Sequence, residues 1–219
     1  MISLRNVTRL YAASGAALDD VSLEIAEHEF VAITGPSGCG KSTLLHILGG
    51  LDTPSRGEVN VNGLALHRAT EAQLTDYRRR QVGIVFQFFN LLPAMTVLEN
   101  VCLPLLLHGQ PLVQARHRAG ALIEMVGLAD RTHHRMHQLS GGQLQRTTIA
   151  RALIHEPRLL LADEPTGNLD SHSAEQVMAL LEKIASQRRT TLLLVTHSEE
   201  IARRTDRRIR MRDGKILDP

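Results

Sequence analysis

The chain is poor in cysteine, in charge of one sign and in long apolar runs. Only Cys39 and Cys102 occur among its 219 residues. That excludes a disulfide framework and fits a reduced, cytosolic setting. The net charge is +2, too balanced to argue for nucleic-acid binding on charge alone. Arginines gather at 78–80 and again between 203 and 212. A solvated charged face is the simpler reading of both, and contact with a membrane surface or a partner is the alternative. No apolar stretch approaches the roughly 20 residues of a spanning helix, and the obvious candidate, 101–107, is short and carries Pro104. The start, MISLRNVTRLY, lacks a signal-peptide apolar stretch. Work at a membrane would need spans from another chain. Internal repeats and low-complexity segments are also missing.

At 43% hydrophobic the chain can bury a core, and its length fits one ordinary domain or a core with a small inserted lobe. The organising stretch is 30–50, FVAITGPSGCGKSTLLHILGG. A short run from Phe30 to Ile33, rich in β-branched and aromatic residues, predicts a buried strand. The turn fits G-x-x-x-x-G-K-[ST] and supplies Gly35, Pro36, Ser37, Gly38, Cys39, Gly40, Lys41, Ser42 and Thr43. A helix from about Lys41 follows, with Leu44, Leu45, Ile47 and Leu48 free to pack on a sheet. The chemistry explains the spacing. A triphosphate needs converging N–H groups, which glycines let the backbone provide. The positive end of the next helix adds to that field. Lys41 can place a compact charge on the β- and γ-phosphates, and the Ser42 hydroxyl can ligand Mg²⁺. ATP and Mg²⁺ are the expected ligands.

Residues 2–8 and 18–25 alternate in polarity and predict two strands of a small antiparallel layer. Another strand is expected at 58–62, with a turn at Asn62-Gly63. Helical composition spans 70–80, and 82–86 reads as a buried strand ending at Gln87. From 88 to about 135 the pattern predicts helices divided by prolines and glycines. LSGGQ at 139–143 opens a helix that stops before Pro157. Further buried strands are expected at 159–162 and 191–196, with an amphipathic helix at 171–187 between them. A final hairpin turns at Asp213-Gly214. Uniformly apolar strands alternating with helices mean an α/β fold with a mostly parallel sheet. The expected division is a nucleotide-binding core, 1–87 and 156–219, with a helical subdomain inserted at 88–155.

LLLADE at 159–164 sets two acids just past an apolar strand. Ligands gather at the carboxyl ends of strands in an open parallel sheet. Asp163 could therefore hold Mg²⁺, and Glu164 could orient and polarise an attacking water. Acids that merely cap a loop are the plainer alternative.

LSGGQLQR (139–146) between the phosphate turn and LLLADE resembles the ATP-binding-cassette ATPases over essentially the whole chain. The resemblance implies a P-loop NTPase with a RecA-like sheet. By that likeness Tyr11 stacks on adenine, and Gln87 reaches Mg²⁺ and the attacking water. His197 contacts the γ-phosphate. The loop Asn168-Leu169-Asp170 crosses to a partner subunit. Ser140, Gly141, Gly142 and Gln143 form a second phosphate-binding helix N-terminus that faces the ATP of another protomer. The family therefore implies a head-to-tail homodimer closed by ATP, an integral membrane permease as partner, and a place on the cytoplasmic face of the membrane. FQFFNLLPAMTVLENVCLPL and LLADEPTGNLD resemble the lipoprotein-releasing, macrolide-efflux and cell-division branch. Export, lipoprotein release or force transmission is the expected task. An import ATPase, or a soluble ATP-driven clamp on nucleic acid or ribosomes, is the alternative; nucleic acid is not an expected partner.

Two residues depart from the family's usual pattern: Cys39 stands where serine is common, and His28 where glycine often precedes the glutamate. Near so many N–H groups the Cys39 thiol is expected to be acidic and open to maleimides, unless it is an inert small residue. His133, His134 and His137 lack an accompanying cysteine or acid cluster, so a solvated loop is the better reading than a metal site.

Overall fold

The computed structural model describes residues 1–11, 15–187 and 189–218. Its frame is a six-stranded sheet. β3 (Phe30–Thr34), β6 (Val82–Val85), β7 (Leu159–Asp163), β8 (Thr191–Thr196), β9 (Arg207–Arg212) and β10 (Lys215–Asp218) lie in the order β10-β9-β3-β8-β7-β6. All neighbours are parallel except β10, which folds back on β9. Its tight turn places Asp213 and Gly214 at positive φ, as a two-residue hairpin requires. A second sheet is antiparallel, in the order β2-β1-β4-β5. It comprises β1 (Ile2–Tyr11), β2 (Gly15–Ile25), β4 (Arg56–Val61) and β5 (Leu64–Ala65).

The central strands are buried because helices or sheet cover both faces, and side chains divide between the faces with period two. Val31, Ile33, Leu161, Leu193 and Val195 share one core with the antiparallel sheet and α1 (Lys41–Leu48). Phe30, Leu160, Ala162, Leu192 and Leu194 point the other way. There they meet α3 (Val97–Leu107), α4 (Leu112–Met125), α5 (Gly141–Leu153) and α6 (Ser171–Ser186). Each fully buried Leu or Val contributes about 1.5–3 kcal/mol, so the motif-bearing loops hang from a stiff support. The remaining α-helices are α2 (Glu71–Arg80) and α7 (Glu199–Ala202).

The fold class is the one expected. Three local details differ from the expected pattern. β1 extends to Tyr11 rather than ending near residue 8, because irregular register after Leu4 keeps it paired with β2. Residues 88–95 form a loop, not a helix, and Phe89 and Asn90 adopt left-handed φ values of 54° and 51°. α3 also runs through Pro104 instead of breaking there. A Thr96–Glu99 capping box starts it, and Val97, Val101, Cys102 and Leu105 are buried. That packing outweighs the one helical bond that Pro104 cannot make. The break falls at Gly109–Pro111. The C-terminal arginines are largely paired: Arg204 bridges Glu175 and Glu182, and Arg208 pairs with Glu199.

Candidate active site

Because β3, β6, β7 and β8 are parallel, their carboxyl ends meet on one edge of the sheet. The phosphate turn follows Thr34, Gln87 follows β6, Glu164 follows β7 and His197 follows β8. The structure brings these together. A cavity of about 410 Å³ is lined by Ser37, Gly38, Gly40, Lys41, Ser42, Thr43, Gln87, Glu164 and His197, with Ala17 from β2.

The turn is built for an anion. α1 begins at Lys41 with Gly40 as its N-cap and no capping side chain. By contrast α2, α3, α5, α6 and α7 are capped by Thr70, Thr96, Ser140, Asp170 and Ser198. The first-turn N–H groups of α1 are thus left to an external acceptor. Lys41 is only 7% exposed. Its Nζ donates to the carbonyls of Gly35 and Pro36, each at 2.8 Å. Its third contact is a long one, to Cys39 Sγ at 3.9 Å, so no carboxylate pairs with the ammonium and an arriving phosphate has only weak neutral partners to displace. Gly35 and Gly40 are required sterically. A Cβ on Gly35 would stand 2.1 Å from the Met211 carbonyl oxygen, and one on Gly40 would stand 2.2 Å from that of Ala17.

The Ser42 hydroxyl donates to Asp163 Oδ1 at 3.2 Å. A hydroxyl and a carboxylate side by side, with the Gln87 amide on the same cavity, form an oxygen donor set suited to Mg²⁺. Glu164 adopts left-handed φ of 46°, a conformation that costs a non-glycine residue on the order of 1–3 kcal/mol. Two backbone bonds hold it: its N–H donates to the Val195 carbonyl at 3.0 Å, and its carbonyl accepts from Gly167 N–H at 3.1 Å. The twist turns its carboxylate to His197, with Oε2 2.5 Å from Nδ1. A Cβ on Gly167 would lie 3.4 Å from Glu164 Oε2 and 3.6 Å from Gln87 Nε2, so this glycine keeps the space between the two side chains open.

Other expected residues lie elsewhere. Ser140 caps α5, accepting from the Gln143 N–H, while Gln143 Oε1 accepts from the Ser140 N–H. Asp170 caps α6; the Ser173 N–H and hydroxyl donate to it and hold its carboxyl below the usual carboxylate range. A Cβ on Gly142 would meet the Ser173 side chain at 2.7 Å, and one on Gly141 would meet Leu169 at 3.3 Å. The LSGGQ signature segment, which opens α5 (the signature helix), and the 168–170 loop therefore pack on each other, and neither lines the cavity. Tyr11 also stands outside the cavity lining; its hydroxyl donates to Asp52. Cys39 corrects the expectation of an accessible thiol. It is 4% exposed and part of the apolar core, with its Sγ turned inward toward Gly35 and Lys41. A thiol without solvent access is a poor target for maleimides.

Four residues escaped the motif reading: Ala17, Gly167, Asp52 and Arg151. Arg151, on α5, donates to the carbonyls of Asn90 at 2.6 Å and Phe89 at 3.1 Å, and burial pushes its guanidinium below its ordinary value. The Asn168 side chain donates to the Gln87 carbonyl at 3.2 Å. The loop after Gln87 is thus fastened by the signature helix and by the 168–170 loop. No spacing rule pairs residues about sixty positions apart.

The match to known proteins agrees with this geometry. A family model described as "ABC transporter" matches residues 18–167. The chain belongs to the ABC transporter family. It is an ATP-binding subunit of that family, and an ATPase. It is 47% identical to an uncharacterized ABC transporter ATP-binding protein of Methanocaldococcus jannaschii, over 100% of this chain and 98% of that one. It is 46% identical to the lipoprotein-releasing system ATP-binding protein LolD of Pseudomonas fluorescens, covering 99% and 97%. It is 47% identical to the macrolide export ATP-binding/permease protein MacB of Bdellovibrio bacteriovorus, but spans only 33% of that protein. Among solved structures, a dimeric bacterial ABC transporter cassette superposes with a TM-score of 0.92 at 44% identity, over 100% and 97% of the two chains. A post-hydrolysis dimeric cassette bound to ADP and Pi gives 0.92 at 43%, with the same coverage. The relatives named LolD and MacB fit the expected lipoprotein-release and macrolide-efflux branch, and the chain has the fold of the solved cassettes.

Proposed function

We propose that two copies of this ATPase close head to tail on ATP, and that closure drives a separate membrane permease in export, lipoprotein release or force transmission. One observation carries the reading. Ser140–Gln143 open α5 outside the phosphate cavity of the same chain, which fits a site that a second chain completes. The dimeric neighbours, at 44% and 43% identity, support a second copy as the source of the other half.

In the closed dimer Lys41 and the first-turn N–H groups of α1 hold the ATP phosphates, and Tyr11 takes the adenine. Ser42, Asp163 and Gln87 would hold Mg²⁺, which would supply positive charge to offset that of the phosphates. Glu164 orients a water and takes its proton as the oxygen attacks the γ-phosphorus; the bond to the ADP oxygen breaks. His197 steadies the Glu164 carboxylate and reaches the γ-phosphate. Separated ADP and phosphate no longer bridge the two chains, so the dimer opens.

The permease contact belongs to the groove between α2, β6 and α3. Phe86, Leu103, Pro104 and Leu107 border about 370 Å³ there, beside Arg78 and Arg151. Phe88, at the start of the loop that Arg151 fastens, is 74% exposed. We read the groove as the seam between the nucleotide-binding core, 1–87 and 156–219, and the helical lobe 88–155. Among the described residues no helix is long and apolar enough to cross a membrane, so the permease supplies the spans and holds the ATPase at the cytoplasmic face. The names LolD and MacB among the relatives favour release or export over import. The test is a pull-down from solubilised membranes with Glu164→Gln, ATP and Mg²⁺. Recovery of a few-span protein with a large external domain is the expected result. Recovery of a many-span permease would move the reading to import, and recovery of ribosomes or DNA would overturn it.

A further inference from the structure

Tyr11 is not a free surface tyrosine. Its hydroxyl donates to Asp52 Oδ2 at 2.6 Å. Arg9 Nε donates to the same oxygen at 3.0 Å, and another Arg9 nitrogen reaches Asp52 Oδ1 at 2.7 Å. The guanidinium carbon also lies 4.7 Å from the centre of the Tyr11 ring, within cation–π range. One carboxylate thus takes a two-point fork from arginine and a phenol hydrogen bond together. Both ions are more than three-quarters buried at their side chains. Asp52 is itself anchored: Oδ1 accepts the Thr53 N–H at 2.7 Å, and its own N–H donates to the His46 carbonyl near the end of α1 at 3.3 Å. The helix that opens at the phosphates therefore ends in the segment that holds the Tyr11 ring.

We propose that Asp52 is a positioning residue for the adenine base: with Arg9 it fixes Tyr11 in one orientation and covers one ring face, which leaves the other face to stack on the base. This rests on the reading that Tyr11 stacks on adenine. A ring held at its hydroxyl and backed by a guanidinium loses little further freedom when a flat ligand arrives, and that saving appears as affinity. Arg9 and Asp52 neutralise each other, so the device supplies a surface rather than a charge. Stacking of that kind tolerates any purine. Asp52 contacts neither phosphate nor the reacting water, so its loss acts on binding and not on turnover.

The experiment measures KM and kcat for ATP and GTP, and binding of ATP and of tripolyphosphate, which has no base. The variants are Tyr11→Ala, Tyr11→Phe, Asp52→Asn and the double variant Tyr11→Phe/Asp52→Asn. Loss of one side-chain-ordering contribution predicts that Asp52→Asn and Tyr11→Phe each raise KM about 3- to 10-fold for both nucleotides. Turnover and tripolyphosphate binding stay unchanged, and the double variant is no worse than either single one. If Tyr11→Ala weakens ATP binding and Asp52→Asn does not, the positioning role is overturned while stacking stands. If Tyr11→Ala leaves ATP binding intact, the stacking reading falls and the proposal with it. Equal weakening of tripolyphosphate by Asp52→Asn would mean a general disturbance of α1 and would also overturn the proposal.

Discussion

Arg151→Ala removes the fastening between the signature helix and the loop after Gln87. Two hydrogen bonds from a charged donor are lost, each worth about 1.5–3 kcal/mol. Part of that is offset, because alanine no longer has to bury a guanidinium. The loop also loses what keeps Phe89 and Asn90 in left-handed φ. The net loss is about 2–3 kcal/mol, with the unpaired carbonyls turning toward solvent. For a chain of this size each kcal/mol shifts the melting point by about 2–4 °C, so the midpoint falls by roughly 4–12 °C. Calorimetry reads that shift. Hydrogen exchange across 88–95 reads its location, and protection there falls more than in β3 or β8. Arg151→Lys recovers part of the loss only, because an ammonium lacks the planar fork that spans two carbonyls. An unchanged midpoint together with unchanged exchange in 88–95 would refute the fastening role.

Two other perturbations test neighbouring claims. Gly40→Ala would place a methyl 2.2 Å from the Ala17 carbonyl oxygen, at a φ of +102°; ATP binding by calorimetry should be lost, and wild-type affinity would contradict the steric account. Burial holds the His155 imidazole below its ordinary value, with nearby His108 and Arg118 adding to the effect against the opposing Val82 hydrogen bond. Burial and then Arg79 and Arg80 lower His108 in the same way. The sign follows from linkage. These groups stay neutral in the fold while the unfolded chain takes up protons below about pH 6.5. Stability is therefore full above that value and declines as pH falls toward the folded-state pKa values. Urea midpoints across that range should fall less steeply in His155→Phe than in the parent, and identical slopes would refute the assignment.

What was legible in the sequence was what local pattern controls. β3, β7 and β8 announced themselves because strands covered on both faces must be apolar throughout. The phosphate turn, the two acids at the carboxyl end of β7 and the LSGGQ helix start were legible because phosphate and metal chemistry demands fixed residue types at fixed spacing. The Asn62-Gly63 and Asp213-Gly214 turns were legible for a similar reason: both residues of each turn take positive φ. Contacts between distant segments were not legible. Pro104 reads as a helix breaker until the packing of Val101 and Leu105 is seen. Cys39 reads as an open thiol until the turn is found folded against Met211 and the core. Residues 88–95 have helical composition, yet the side chains of Asn100 and Arg151 claim their backbone groups. Asp52 sits in an ordinary turn sequence and gains its meaning only from residues 9 and 11 across the small sheet.

The central claim is that one chain holds half of each ATP site. Glu164→Gln removes the carboxylate proposed as the base but leaves the phosphate cradle and the Ser140–Gln143 helix start in place. Light scattering of this variant with ATP and Mg²⁺ tests the claim most directly. A dimer in ATP that returns to monomer in ADP is the predicted result. A variant that binds ATP and stays monomeric would contradict the account.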